Sequence, residues 1–175
     1  IFTGGVVTYS SGATAYFAIR STGGGGHIIK GNQFIPDASG GTTINAIFFG
    51  GLAGGSNGCI ISNNVAKAPH EKITYLYGDY NKVIGNYVDS AINTDSYRHH
   101  GSYNTIENNI SKDCKGGCQV FDGVGNSITG NSFIGCVQAG IIVAKLSAGY
   151  AGGFNNTKVI GNTVTGDGAA AKTDG

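Results

Sequence analysis

One short pattern repeats along the chain in the segments IIKGN (28–32), IISNN (60–64), VIGN (83–86), IENN (106–109), ITGN (128–131) and VIGN (159–162). Each segment ends in Asn, at positions 32, 64, 86, 109, 131 and 162, and has an apolar residue three places earlier. The intervals between these Asn residues are 32, 22, 23, 22 and 31. Since nothing between them has helical periodicity, this spacing indicates a solenoid built from β-strands.

A coil of three short strands joined by tight corners accounts for a repeat of about 22 residues, with successive coils stacked about 4.8 Å apart. An Asn at a corner tolerates left-handed backbone geometry and can pass an amide hydrogen bond to the Asn of the next coil. A second column lies five residues earlier, at Asn81, Asn104 and Asn126. Cys114 and Cys136 each follow an anchor Asn by five residues, so we expect them to stack as small buried hydrophobic residues.

Composition agrees with this prediction. The chain has 175 residues with 32 Gly and 40% apolar residues, but no three-residue period, which excludes collagen and disfavours disorder. The net charge of +1 predicts no nucleic-acid partner and no anionic membrane partner. No apolar run approaches a membrane span of about 20 residues. The chain starts at Ile1 and ends in GDGAAAKTDG, so we expect part of a longer protein, with residues 1–166 as one domain and 167–175 as a flexible segment or the start of a following region.

Three stretches carry a family resemblance: NKVIGNYVDSAI (81–92), YNTIENNISKDCKGGCQVFDG (103–123) and NSITGNSFIGC with AGIIVA (126–136 and 139–144). They resemble repeats of the right-handed parallel β-helix, or pectin-lyase-like, superfamily, and most of all bacteriophage tailspikes and capsule depolymerases. The resemblance covers about residues 15–166 and implies an all-β, right-handed, single-stranded parallel β-helix with three short strands per coil. It is specific for the fold and poor for function, because the motif describes turns.

The two long Asn intervals share one enlarged corner, formed by GGLAGGSNG (50–58) and KLSAGYAGGFNN (145–156). In the three coils between them the same corner is short, with Gly78, Gly101 and Gly123 in register. We therefore predict a groove of about 19 Å, four coil spacings. Its Gly-rich walls carry Tyr150 and Phe154 as stacking residues. The alternative is that these loops cap the helix or pack against neighbouring chains.

The expected floor of this groove is a strand and corner on three successive coils. Alternation from Ile73 predicts that Leu76, His99 and Phe121 face outward, and that Arg98 points inward. Either the fourth coil is then distorted, or Arg98 is buried against a carboxylate such as Asp95. Beside them the alignment predicts a column of Tyr77, His100 and Asp122, with Asp79, Tyr80 and Tyr103 at the corner.

Two cleavage chemistries fit these residue types. Hydrolysis needs two carboxylates, and Asp79 and Asp122 two coils apart would lie about 9.6 Å from each other, compatible with inversion. β-Elimination needs a group that neutralises a uronate, a base and an acid, which His99, His100, Arg98 and Tyr77 supply with Lys145. Each Asp also fits a tight glycine turn. An exposed His beside aromatic residues is also typical of a ligand contact or an interface.

No metal site or cofactor is expected, because calcium needs clustered carboxylates and the floor has scattered ones. The remaining charged residues near the opposite corner are predicted to form a solvated face: Asp89, Asp95, Asp113, Glu71, Lys67, Lys72, Lys112 and Lys115.

Two functions remain open from the sequence. One is recognition and depolymerisation of a surface polysaccharide, a capsule or lipopolysaccharide O-chain, by a lyase or glycoside hydrolase. The catalytic candidates would be His99, His100, Asp79 and Asp122, and the substrate-binding candidates Tyr77, Arg98, Tyr80, Tyr103, Phe121, Tyr150 and Phe154. The other is a non-enzymatic glycan-binding or structural segment. The resemblance implies a homotrimer and a location on a virion tail or otherwise outside the cell, and Leu76, Phe121 and Ile142 are interface candidates.

Overall fold

The computed structural model describes residues 1–9, 17–36, 45–49, 55–67, 72–90, 95–144 and 155–166. Within these ranges the chain forms β-strands and turns and no helix, and the paired strands are parallel. The strands stack into three sheets with about 23 residues per turn of the solenoid. The prediction of an all-β, right-handed parallel β-helix with three strands per coil is therefore confirmed.

Each of the first six coils contributes one strand to each sheet, and the described part of the last coil contributes one to the first sheet and one to the second. The first sheet contains Phe2–Thr3, Ile28–Lys30, Ile60–Ser62, Lys82–Ile84, Thr105–Glu107, Ser127–Thr129 and Lys158–Ile160. The second contains Val6–Tyr9, Gln33–Pro36, Val65–Lys67, Tyr87–Asp89, Ile110–Lys112, Ser132–Cys136 and Thr163–Gly166. The third contains Phe17–Ser21, Asn45–Phe49, Lys72–Tyr77, Asp95–His100, Gly116–Phe121 and Ile141–Ala144.

The anchor asparagines form a buried ladder between the first and second sheets. The side-chain amide of each donates to the side-chain oxygen of the next along the series Asn32, Asn64, Asn86, Asn109, Asn131 and Asn162, at 2.8–3.0 Å. The left-handed residue is the one before each anchor rather than the anchor itself, as at Gly85 (φ 64°) and Asn108 (φ 52°). The predicted ladder is confirmed, and its corner geometry is supplied by the preceding residue.

The second asparagine column uses different bonds. The backbone N–H of Asn81 donates to Oδ1 of Asn104 at 2.9 Å, and that of Asn104 donates to Oδ1 of Asn126 at 2.8 Å. The side-chain amides of Asn104 and Asn126 donate instead to the backbone carbonyls of Gly78 and Gly101, each at the same corner of the preceding coil. Cys59 occupies the same place one coil earlier, because its N–H donates to Oδ1 of Asn81 at 2.9 Å.

The core is a column of apolar side chains inside the three sheets. The residues three places before each anchor Asn are almost completely buried from Ile61 to Ile128. Phe34 and Phe133, on strands of the second sheet, are also fully buried. Cys114 and Cys136 are buried free thiols on adjacent coils, as expected, and the N–H of Val137 donates to the carbonyl of Cys114 at 3.2 Å. No helix in the described ranges is long and apolar enough to cross a membrane. Residues 167–175 lie outside these ranges, so their predicted role stays a prediction.

Candidate functional site

The outer face of the third sheet carries the side chains from which the candidate site is built, but with the opposite alternation from the one predicted. Thr74 and Leu76 are buried in the core at 0% and 1% exposure, whereas Tyr75 and Tyr77 point outward and are half-buried. Ile73 is also fully buried, next to buried Thr74, so the first residues of this strand do not alternate in burial. Alternation counted from Ile73 therefore gives the wrong phase.

His99 lies in the core, because it is in register with buried Leu76. His99 is fully buried, stacks in register between Leu76 and Val120, and its Nε2 lies 3.1 Å from Oγ1 of Thr74. Burial, with a smaller contribution from neighbouring His100, lowers the pKa of His99 to about 3. The expected outward orientation of Leu76 and His99 is wrong, and neither side chain lines an external groove.

The outward column contains Tyr77, His100 and Phe121 rather than Asp122. His100 pairs with Tyr77 on one side and with Phe121 on the other. Five residues separate Phe121 from the next strand at Ser127, but only four separate His100 from Thr105. Asp122 is the extra residue, held at a φ of 53°, so a one-residue insertion at the corner shifted the alignment that the sequence predicted.

These outward side chains form one aromatic cluster. The rings of Tyr77 and His100 stack with centroids 4.4 Å apart, and Phe121 tilts against His100 at 5.4 Å. Tyr75 lies 5.2 Å from Tyr77, and their hydroxyl groups are 2.7 Å apart. The sequence analysis did not include Tyr75 in the candidate site. Tyr75 lies two residues before Tyr77 on the same strand, so both side chains lie on the same face of the sheet.

Arg98 lies across this cluster. Its guanidinium donates to both carboxylate oxygens of Asp95, at 3.0 and 3.3 Å, and to Oε1 of Gln119 at 2.7 Å. It also lies 5.7 Å from the ring centroid of Tyr75 and 5.6 Å from that of Phe121. The expected partner Asp95 is confirmed, but Arg98 points outward with its side chain 26% exposed. The predicted inward direction of Arg98 is wrong because the side chains of this strand alternate in the opposite sense to the prediction.

Asp122 lies next to His100, which is a member of the cluster. Nδ1 of His100 is 3.8 Å from Oδ2 of Asp122, and the two residues are 4% and 3% exposed. Burial lowers the pKa of His100 to about 4, although the Asp122 carboxylate opposes that shift. His100 is therefore neutral at pH 7, and its Nε2 is buried with no hydrogen-bond partner.

Asp79 is part of the backbone architecture of the next corner. Its Oδ1 accepts a hydrogen bond from the N–H of Ser102 at 2.7 Å, and its own N–H donates to Oδ1 of Asn57 at 2.8 Å. Gly55 and Gly78 make close backbone approaches in the same region. The turn interpretation of Asp79 thus has direct support in its hydrogen bonds.

Tyr80 and Tyr103 form an exposed stacked pair at this corner. Their ring centroids are 5.1 Å apart with an interplanar angle of 8°, and they are 60% and 50% exposed. Both backbones are left-handed, with φ values of 60° and 57°. A Cβ added to Gly125 on the next coil would lie 2.7 Å from the Tyr103 ring, so that ring covers the glycine.

The left-handed position recurs on six coils, two residues before each strand of the first sheet: Gly26, Gly58, Tyr80, Tyr103, Gly125 and Asn156. Left-handed geometry is costly for a bulky side chain and easy for Gly or Asn. Two successive coils therefore carry strained, solvent-facing aromatic residues where the others have the residues that the backbone prefers.

The predicted groove walls lie mostly outside the described residues. Tyr150 and Phe154 fall in 145–154, and the first loop is described only from Gly55 onward. That described end stacks on the neighbouring corners, since the N–H of Gly58 donates to the carbonyl of Asp79 at 3.0 Å. The groove and the roles of Tyr150 and Phe154 stay predictions.

The predicted solvated face is wrong for two of its members. Asp95 and Lys72 are 3% and 4% exposed and belong to the third sheet, where Nζ of Lys72 lies 5.4 Å from the Tyr75 ring. Lys67 and Lys112 are exposed as expected, whereas Glu71 lies outside the described ranges.

The chain matches the model of a known protein family. The family model described as "Periplasmic copper-binding protein (NosD)" matches residues 6–172. The chain belongs to the NosD family. No curated protein matches it, and no solved structure does either.

The copper in the NosD family's description does not fit the described residues. In that part of the chain no three His, Cys, Asp or Glu side chains form a group that could hold a metal ion. Cys59, Cys118 and Cys136 are buried, and burial raises the pKa of each thiol, that of Cys136 to about 11. Protonated buried thiols are poor ligands. We therefore assign no copper site to these residues.

Proposed function

We propose that this chain binds a surface polysaccharide, a capsule or lipopolysaccharide O-chain, at the corner formed by Tyr80 and Tyr103. The observation that carries the proposal is the exposed ring stack of these two residues, held at left-handed backbone positions. Strained backbone persists where function requires it. A flat apolar ring with a hydroxyl tip offers a sugar both packing area and a hydrogen bond.

The adjacent face of the third sheet extends this surface. Tyr77 ends the strand that leads into the corner, and the cluster of Tyr77, His100 and Phe121 crosses three coils. Aromatic surface combined with a few fixed polar groups is the usual composition of a ligand site. Tyr75 and Tyr77, the half-buried members of the cluster, would extend the platform, whereas His100 and Phe121 are 4% and 6% exposed and support them from below.

The same contacts favour binding over depolymerisation. His99 lies in the core, Asp122 is 3% exposed, and Oδ1 of Asp79 accepts a backbone hydrogen bond. A glycosidase needs two carboxylates that reach the substrate, and a lyase needs a base there, whereas these candidate groups are buried or hydrogen-bonded to the backbone. We infer a non-enzymatic glycan-binding role. From the periplasmic family description we also infer a location outside the cytoplasm; the tailspike-like homotrimer and virion tail remain predictions without family support.

The test measures binding of purified capsule and lipopolysaccharide O-chain to the wild type and to the double variant Tyr80→Gly with Tyr103→Gly. Glycine suits the left-handed backbone, so the double variant should fold with unchanged or slightly higher stability while losing at least about tenfold in affinity. Reducing-end and unsaturated-uronate assays on the same mixtures should detect no cleavage.

The matched control is Tyr87→Thr, which removes a half-buried outward Tyr from the second sheet. This variant should retain wild-type affinity. If the double variant is folded and binds every glycan as tightly as the wild type, the proposed platform is wrong. Cleavage products would overturn the non-enzymatic role.

A further inference from the structure

Two buried free thiols occupy equivalent places on neighbouring coils. Cys114 and Cys136 are 22 residues apart, which is one coil, and are 0% and 4% exposed. The residue before each has a left-handed backbone, Asp113 with a φ of 51° and Gly135 with a φ of 68°. A Cβ added to Gly135 would lie 3.5 Å from the backbone N and Cα of Asp113, so the two corners stack directly on each other.

Backbone hydrogen bonds fix this register around the pair. The N–H of Asp113 donates to the carbonyl of Ile134 at 2.9 Å, and the N–H of Val137 donates to the carbonyl of Cys114 at 3.2 Å. Stacked coils are about 4.8 Å apart, which lies within the usual range of about 4.4–6.8 Å for the Cα atoms of disulfide-linked cysteines. The backbone therefore holds Cys114 and Cys136 at a separation that a disulfide can span.

The groups around the Cys114 thiol keep hydrogen-bond partners if the thiol loses its proton. Its Sγ donates to the carbonyl of Lys112 at 3.1 Å, but that carbonyl also accepts from the N–H of Ser90 at 2.8 Å. Oγ of Ser111 lies 2.8 Å from the same Sγ and also pairs with Oγ of Ser96. Because a buried polar group is costly only when its partners are lost, oxidation at this place carries a small hydrogen-bonding penalty.

The other two cysteines stack on residues of other types. Cys118 is in register with Tyr97 on one side and Ile141 on the other. The N–H of Cys59 donates to Oδ1 of Asn81, which occupies the same place on the next coil. Of the four cysteines, Cys114 and Cys136 are therefore the pair that the coil register brings together.

We propose that Cys114 and Cys136 form a disulfide bond that links two neighbouring coils when the chain folds in an oxidising compartment. One thiolate attacks the disulfide of an oxidant, a dithiol–disulfide oxidoreductase, which gives a mixed disulfide and releases one oxidant thiol. The second thiolate attacks the mixed disulfide, so the Cys114–Cys136 bond forms and the oxidant leaves as a dithiol with the two electrons and two protons. The location outside the cytoplasm proposed above would supply such an oxidant.

The bond forms before the corner packs, because the thiolate is the reacting species. Burial raises the pKa of Cys136 to about 11, with a smaller contribution from Cys114. At about pH 8 the folded, reduced chain should therefore lose its thiols to oxidised glutathione at least about tenfold more slowly than the same chain unfolded in urea. Equal rates would contradict formation before packing.

The main experiment maps the cysteines of the 175-residue chain after secretion into the periplasm of a bacterial expression host. Free thiols are blocked during unfolding in urea, and the product is digested with trypsin and an endoproteinase that cleaves before Asp. These cleavages place Cys114, Cys118 and Cys136 on separate peptides, 113–115, 116–121 and 122–145. We expect 113–115 linked to 122–145, with Cys59 and Cys118 blocked as free thiols.

Matched variants connect the bond to stability. The oxidised chain should have a higher urea midpoint than the same chain reduced by a phosphine, because the cross-link restricts the unfolded chain. Cys136→Ala should remove both the cross-link and this difference. Cys118→Ala, which removes a buried thiol outside the pair, is the control and should keep both.

Four blocked thiols in the wild type, or a link between 113–115 and 116–121, overturns the inference. If Cys136→Ala does not fold, the peptide map of the wild type still decides. The glycan-binding proposal is unaffected by either result, because the Tyr80–Tyr103 platform contains neither cysteine.

Discussion

Asn86 represents, at the residue scale, how buried amides connect the coils. Its Oδ1 accepts from both the N–H and the side-chain amide of Asn64, and its own amide donates to Asn109 and to the carbonyl of Ile61. Asn86 is 1% exposed, so water cannot replace these partners. Each anchor therefore satisfies polar groups on two other coils.

Replacing Asn86 by Ala should destabilise the protein by about 3 kcal/mol, because buried donors and an acceptor lose their partners. Asn63→Gly is the control: Asn63 is exposed with a φ of 55°, so glycine should change stability by less than about 1 kcal/mol. Urea denaturation measures both variants. Equal losses would contradict the role assigned to the ladder.

The buried histidines predict a pH dependence. Burial, the main cause, lowers the folded-state pKa of His99 to about 3 and of His100 to about 4, below the ordinary value of 6.5. The unfolded chain therefore binds more protons below pH 6.5, and stability is lost as the pH falls from 6.5 towards 4. Each histidine contributes a slope of up to about 1.4 kcal/mol per pH unit.

Urea midpoints at several pH values between 7 and 4 test this slope. His99→Leu removes one of the two histidines that titrate and should make the slope shallower. The variant should fold, because the column already contains Leu76 and Val120. Thr74→Val removes the hydrogen-bond partner of His99 but keeps its imidazole, so its slope should stay as steep as that of the wild type. An unchanged slope in His99→Leu would assign the pH dependence to other groups.

At the scale of the element, the corner after the third sheet depends on backbone atoms packed against each other. A Cβ added to Gly123 would lie 1.8 Å from the carbonyl oxygen of Gly101, and one added to Gly101 would lie 2.3 Å from that of Gly78. The predicted alignment of these three glycines is confirmed by this stacking. Because the three nearest neighbours of a Cβ on Gly123 are all backbone atoms, this position cannot relax by moving a side chain.

Gly123→Ala should therefore lower the free energy of unfolding by at least about 2 kcal/mol. In contrast, Gly23→Ala places its Cβ in open space and should leave stability nearly unchanged. Thermal denaturation compares the two variants directly. Similar melting temperatures for both would show that the corner tolerates a shift of its backbone.

The whole molecule is a stack in which each coil contacts mainly its neighbours, so stability should vary along the axis. Inward-facing Val83 and Val88 are 0% and 3% exposed in a middle coil, whereas Val159 and Val164 in the last described coil are 47% and 48% exposed. Middle coils have a neighbour on both sides, and the last described coil has one described neighbour.

Hydrogen exchange on this 175-residue chain should accordingly be slowest in Lys82–Ile84 and Thr105–Glu107 and fastest in Lys158–Ile160. Mass spectrometry of peptic peptides can resolve these strands. Uniform protection from the middle coils to the last one would contradict nearest-neighbour stacking.

The sequence by itself determined the β-helix and the length of its coils. The ladder asparagines and the apolar residues three places before them must recur at fixed intervals, and these intervals are visible in the sequence. The sequence also aligned Tyr77 with His100 and placed Tyr80 and Tyr103 at the corner, but it put Asp122 where the structure has Phe121. Tertiary structure alone decided which face of the third-sheet strands is inside, since Ile73 and Thr74 are both buried and the corner after Phe121 inserts Asp122. Because the side chains alternate in this way, His99 lies in the core and Arg98 faces outward, where it pairs with Asp95. Periodicity fixes spacing, but the direction of a side chain depends on how the chain leaves each corner.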